Sequence, residues 1–260
     1  MFLLTLPAVM SMLIVILASA LFSVALYFLV HPFWSREVTE DTKKIADNIA
    51  MRVGVVYAVV VGMMFANVRI EHVRMVEAIE SEASALIRLY FALERGGGEE
   101  NEKIRRNIIE YVRFIVDEQW PALRDARVLP QNQNIGGRLQ LEPVWDYALH
   151  AEQGQSSSIL LKLLDEVEHY RALRLFDIKG NLLPIFWYIA IFGYISILFP
   201  LFVYPPSLRR CVLISLYSST VSVVLLGIFI LSHPYSAAAG VEPDIFQWLL
   251  QADSSGETAQ

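Results

Sequence analysis

Four stretches of this chain contain no Asp, Glu, Lys or Arg: Leu3–Val30, Val53–Val68, Leu182–Tyr204 and Cys211–Ser232. Crossing roughly 30 Å of hydrocarbon at 1.5 Å per residue takes about 20 apolar residues, and three of the four meet that length. Val53–Val68 is shorter, but Arg52 and Arg69 close it, and their long stems can reach the headgroups. In lipid each backbone polar group must be satisfied within the segment, so these stretches are read as helices.

Composition agrees with a membrane class. Hydrophobic residues make up 55% of the 260 and charged ones only 18%, against about 25% charged in a typical soluble domain. Ala18, Ser19 and Ala20 have the small-residue pattern of a signal-peptide cleavage site. Nothing basic precedes them, however, and ten apolar or small residues follow, so the first stretch is expected to stay as a helix.

The resulting map is an all-α membrane protein. It has a first transmembrane helix over 1–30, a loop over 31–52, a second helix over 53–68, a helical extramembrane domain over 69–181, a third helix over 182–204, a tight loop over 205–210, a fourth helix over 211–232 and a tail over 233–260. The domain carries 15 Lys plus Arg against 19 Asp plus Glu. Val76, Ile79, Ala83, Leu86, Tyr90 and Leu93 recur at gaps of three and four, the seam of one helix packing on another. No breaker lies between Val53 and Glu94, so the second membrane helix is expected to run on to about Glu94.

Gly96, Gly97 and Gly98 then stop the helix. A second helix is expected over Glu99–Gln119, ended by Trp120 and Pro121, with Ile104, Ile108, Tyr111 and Ile115 inward. Residues 125–141 read as loop, Glu142–Gln153 as a short helix, and the serines at 156–158 as the cap of a helix to about Ile178. The tail is expected on the bilayer surface through Tyr235, Phe246, Trp248 and Leu249, since aromatics favour that interface.

The run Arg171, Ala172, Leu173, Arg174, Leu175 leading to Pro184 and Trp187, with the later His233, Pro234, Tyr235, Ser236, Glu242, Pro243 and Phe246, resembles the bestrophin-like domain family of bacterial membrane proteins. Glu82 with Tyr90, and the Glu118, Gln119, Trp120, Pro121 run, are similar to it as well. The likeness extends from Val53 to Leu250. The family usually has an acid and an arginine before the terminal proline and a glycine after the serine, where this chain has Ser232, His233 and Ala237. The resemblance implies the four-helix architecture, a bacterial inner-membrane location and kinship with ion channels, the last a fold-level analogy.

Enzyme chemistry finds little support, since no nucleophile elbow, phosphate loop or dinucleotide fingerprint occurs. Glu166 and His169 have the spacing of half a dimetal site, but no second half accompanies them, so they read as a solvated helix face and no cofactor is implied. The single cysteine, Cys211, reads as packing. Basic residues are interspersed with acids and the net charge is −6, which gives no case for nucleic acid.

Charge-free spans disfavour a pump or a coupled transporter. The polar cluster Tyr217, Ser218, Ser219, Thr220 and Ser222 reads first as helix packing and second as pore lining. Two function classes follow. One is a homo-oligomeric passive anion channel in the lipid bilayer, with Tyr57, Phe65, Asn67 and Arg69 at its pore and a small anion as its permeant partner. The other is a structural or regulatory membrane protein whose helical domain binds a partner or senses a ligand. The basic residues of the two short loops favour those loops inside, yet an equal six flank the membrane on the other side, so orientation stays open.

Arg171 and Arg174 fall on the inward stripe of their helix, after Leu160, Leu163, Leu164, Val167 and Tyr170. Counting about 1.5 Å per residue from the membrane puts Glu82 level with Arg171, and Glu77 and Glu80 level with Arg174. The spacing therefore predicts pairing of Arg171 or Arg174 with one of Glu77, Glu80 or Glu82, the other reading being solvated arginines with weak surface pairs.

Overall fold

A computed structural model describes residues 6–34, 39–124, 137–150, 155–176, 184–236 and 238–257. The elements in chain order are α1 (Ala8–Trp34), α2 (Glu40–Gly96), α3 (Glu99–Arg113), a π-helical stretch (Phe114–Gln119), α4 (Trp120–Arg124), α5 (Arg138–His150), α6 (Gln155–Phe176), α7 (Pro184–Leu201), α8 (Leu208–Leu231) and α9 (Asp244–Glu257). No strand occurs among the described residues. Four helices, α1, α2, α7 and α8, are long and apolar enough to cross a membrane, and the chain is an all-α membrane protein.

The chain divides into two compact units. The first, the membrane unit, comprises the described residues of 1–72, 181–233 and 237–239; the second, the helical unit, those of 73–180, 234–236 and 240–260. Between 11% and 22% of the most apolar window in each spanning helix is buried. Leu21 at 72% exposed, Met63 at 67% and Phe192 at 73% show how much hydrocarbon faces outward. Apolar surface on that scale is stable only against lipid or other apolar partners.

Helix α2 runs without a break from Glu40 through Gly96, as its unbroken pattern suggests. Its start corrects the loop expected over 31–52. Thr39 Oγ1 accepts from the backbone N–H of Thr42 at 3.3 Å, an N-cap, while Glu40 and Asp41 occupy the first turn, where acids suit the helix dipole. Polar residues after Glu40 mark the limit of the hydrocarbon, but nothing among them ends a helix. The turn between the last two spans likewise shifts: α7 ends at Leu201, and α8 starts at Leu208 after Ser207, whose side chain accepts from Arg210 N.

In the membrane unit, α1 lies along α8. Ser218 Oγ donates to Ser19 O at 3.0 Å and Ser219 Oγ to Ile16 O at 3.3 Å, and Ser218 is fully buried. Thr220 bonds back to its own helix at Leu216 O. Two of these small hydroxyl side chains, Ser218 and Ser219, thus join α8 to α1. Cys211 packs beside Tyr27, Leu198, Phe202 and Ile214.

Gly193 on α7 admits the Tyr57 ring of α2, and a Cβ there would overlap it. Tyr57 is buried with Val61, Met64, Val68, Ala190, Ile197 and Ile228. Overpacking a closed contact typically costs about 1–3 kcal/mol. Gly193→Val should therefore lower the thermal unfolding midpoint of the purified protein in detergent, whereas Gly227→Ala, whose Cβ would meet only the Phe65 ring at an ordinary 3.9 Å, should leave it nearly unchanged.

Candidate functional site

The helical unit is built on the seam of α2. Ile79, Ala83, Leu86, Tyr90 and Leu93 are at most 3% exposed and pack with Ile104, Ile108, Tyr111 and Ile115 of the next segment and with Leu160, Leu163, Leu164 and Val167 of α6. Pro121 does not end that next segment. A proline removes its own N–H and crowds the carbonyl four residues back. Here the backbone widens into the π-helical stretch, in which Trp120 N bonds Ile115 O, and the helix resumes as α4. Gln119 and Trp120, at the end of that stretch, are turned inward at 0% and 2% exposure.

Onto this core falls a fully buried ion pair. Arg174 and Glu82 are both at 0% exposure. Arg174 Nε donates to Glu82 Oε2 at 2.6 Å and Nη2 to Glu82 Oε1 at 3.1 Å, a bidentate fork, while Nη1 donates to Gln119 Oε1 at 2.5 Å. Tyr111 Oη donates to Glu82 Oε1 at 2.7 Å, and Tyr235 Oη to the Arg174 backbone carbonyl at 2.9 Å. The Phe246 ring lies 6.0 Å from the guanidinium carbon.

Burial alone would lower the proton affinity of Arg174, but the Glu82 carboxylate more than offsets this and holds the guanidinium above its ordinary range. Burial also pushes the Tyr111 phenol well above 10, with Glu82 adding to the rise. Gly137, at φ +86°, backs the Tyr111 ring so closely that a Cβ would overlap it.

Of the five residues expected to pair, the structure brings together Glu82 and Arg174, not the level-matched Glu82 and Arg171. Arg171 Nη1 donates to Glu168 Oε1 at 3.1 Å, and Glu77 and Glu80 are exposed. Sequence reasoning misses Gln119 and Tyr111 as partners. Tyr111 is legible only as an apolar seam position, and Gln119 only as one letter of a motif. Glu166 pairs with Arg88 at 2.6 Å, and His169 stands against the Tyr170 ring.

The remaining motif residues mostly serve packing. Trp120 meets Tyr235 edge-on at 5.4 Å between centroids and Phe246 at 6.2 Å. Tyr90 donates to Asp253 Oδ1 at 2.6 Å and accepts from Arg105. Pro234 and Ser236 are buried on either side of Tyr235. These contacts correct the expected surface tail: Tyr235, Phe246 and Leu249 lie in the helical core at 4%, 1% and 1% exposure, and only Trp248, at 49%, faces out. An apolar face too short to span a bilayer can be satisfied by lipid or by protein, and here α9 finds protein. In the membrane unit Pro184 opens α7, Trp187 packs edge-on against Phe229 at 5.8 Å, and His233 Nδ1 lies 2.9 Å from Phe229 O.

The pore candidates separate. Tyr57 is 7% exposed and belongs to the core of the membrane unit, because Gly193 leaves room for its ring. Phe65 is 39% exposed, and Asn67 and Arg69 are exposed.

Removing one partner of a buried pair costs about 3–5 kcal/mol, while replacing both by apolar residues is often neutral. Arg174→Met and Glu82→Leu should each markedly lower the unfolding temperature, and the double variant should lose less than either single one. A more specific check is alkaline unfolding. The unfolded state releases the Tyr111 proton near pH 10 and the folded state keeps it, so this contribution is full below pH 10 and is lost as pH rises above it. Tyr111→Phe should reduce the fall in stability above pH 10 relative to the native chain, read by circular dichroism.

No curated protein and no solved structure matches the chain. The family model described as bestrophin-like domain matches residues 17–246. That span takes in all of α2 through α8, the Glu82–Arg174 pair and the Tyr235–Phe246 cover, and the chain belongs to the bestrophin-like family.

Proposed function

We propose that the chain is the protomer of an oligomeric, passive anion channel of a bacterial inner membrane. The observation that carries this reading is the outer face of α2. Val55, Val59, Met63, Ala66 and Ile70 are exposed along it, no charge occurs from Val53 to Val68, and the face ends at exposed Asn67 and Arg69. Ala58, Gly62 and Ala66, four residues apart and all exposed, would let a neighbouring helix approach closely. An arginine at the end of an uncharged span supplies a positive field at a pore mouth without a charge to trap the ion inside. Family membership supports the same direction by analogy.

A second reading, a membrane protein whose helical unit senses a small ligand, is favoured by one feature. A cavity of about 610 Å³ opens between α5 and α6, lined by Arg138, Glu142, Trp145, Asp146, Glu168 and Arg171.

Native mass spectrometry and planar-bilayer recording of the purified protein choose between them. The channel reading expects a closed ring of protomers with anion-selective conductance. Arg69→Glu should shift the anion-to-cation permeability ratio by on the order of tenfold, measured as a reversal potential across a chloride gradient. A monomer or dimer without conductance would favour the sensing reading.

A further inference from the structure

A second cavity, of about 370 Å³, lies wholly within the membrane unit, at the end where α7 stops and α8 begins. It falls in the range of sites that hold small molecules, roughly 300–1,000 Å³. Its lining is divided. Leu201, Leu213, Ile214 and Tyr217 form an apolar wall, and Asp47, Tyr204 and Arg210 form a polar rim.

The rim is an ordered set of groups. Tyr204 Oη donates to Asp47 Oδ2 at 2.6 Å. The Arg210 guanidinium lies 5.1 Å from the Tyr204 ring centroid and donates through Nη1 to Pro205 O at 2.5 Å. Tyr204 is itself held, since its carbonyl accepts from the fully buried Tyr27 at 2.7 Å. One fixed cation and one carboxylate thus flank a single phenol, above a wall that continues into the lipid-facing surface at Leu213, 64% exposed.

We propose that this cavity seats a membrane phospholipid carrying a phosphoethanolamine headgroup. A guanidinium matches a phosphate with paired N–H donors. A carboxylate beside it rewards a headgroup that also carries N–H donors, and penalises one that ends in a trimethylated nitrogen or has no cation. The acyl chain follows the Leu201, Leu213, Ile214 and Tyr217 wall. The zwitterionic rim separates this seat from a general basic patch, which would favour anionic lipids. The inference is independent of channel activity and rests only on the membrane fold.

The test is native mass spectrometry of the full-length protein in detergent, titrated with phosphatidylethanolamine, phosphatidylcholine and phosphatidylglycerol of identical chains. The ethanolamine lipid should be retained about tenfold more strongly than the other two, the scale of one well-placed charged hydrogen bond. Asp47→Asn should bring the ethanolamine and choline lipids to near equality. Arg210→Gln should weaken all three, and Arg210→Lys, which keeps the charge, should restore part of that loss. Equal retention of the three lipids by the native chain, or preference for phosphatidylglycerol, would overturn the proposal. So would competition by soluble phosphoethanolamine at matched concentration, which would make this a site for a free phosphate ester.

Discussion

Taking an arginine and a glutamate out of water costs several kcal/mol for each ion, and attraction between them repays this only when geometry is good and the other donors and acceptors are also bonded. Arg174 and Glu82 meet that condition with help from four separate segments. α2 supplies Glu82, the π-helical stretch supplies Gln119, α3 supplies Tyr111, and the chain after α8 supplies Tyr235. Each of these side chains can reach the pair only if its own segment is in register. The helical unit is therefore specified at this point more tightly than its apolar seams alone would require, since seams of Leu, Ile and Ala tolerate small slips and a bidentate fork does not.

Several local features follow from that constraint. The widened backbone at Phe114–Gln119 accommodates Pro121 and, in the same turn, sets Gln119 and Trp120 facing the core. Gly137 holds the Tyr111 ring from behind, which limits where its hydroxyl can point. Tyr235 caps the Arg174 carbonyl, and Phe246 with Leu249 covers the same region. The tail is thus part of the folding unit that α2 begins, and Leu93 shares a core with Tyr235 although all of α3 through α8 lies between them in the chain.

Legibility from sequence follows the kind of signal each feature carries. Charge-free runs and three-and-four spacing report hydrophobic burial, so the spans, the length of α2 and the inward residues Ile108, Tyr111, Leu164 and Val167 can be read. Arg174 is legible as an anomaly, a charge on an apolar stripe. Its partner is not, because counting rise along two helices fixes height but not the rotation of each helix, and Glu77, Glu80 and Glu82 lie within one to two turns. Glu82 alone of the three is buried. The tail is misread for a different reason: Phe246 and Leu249 announce an apolar face, but sequence does not say which apolar surface will cover it. Tyr57 is misread likewise, since its burial depends on Gly193, a residue far along the chain whose missing side chain carries no periodic signal.

Charge in this protein is partitioned, and the partition bears on mechanism. The helical unit holds a buried ion pair, whereas the four uncharged stretches contain no carboxylate, lysine or arginine. Of the hydroxyls among them, Ser218, Ser219 and Thr220 are engaged with backbone carbonyls. A membrane region of this kind has no acid to relay a proton and no fixed charge to move in the transmembrane field, which is worth about 2.3 kcal/mol per charge per 100 mV where it exists. Work on an ion would have to come from elsewhere. For the proposed channel, this leaves downhill movement past an uncharged face of α2, with selectivity set at its end by Asn67 and Arg69, and it removes Tyr57 from the set of groups that an ion could meet.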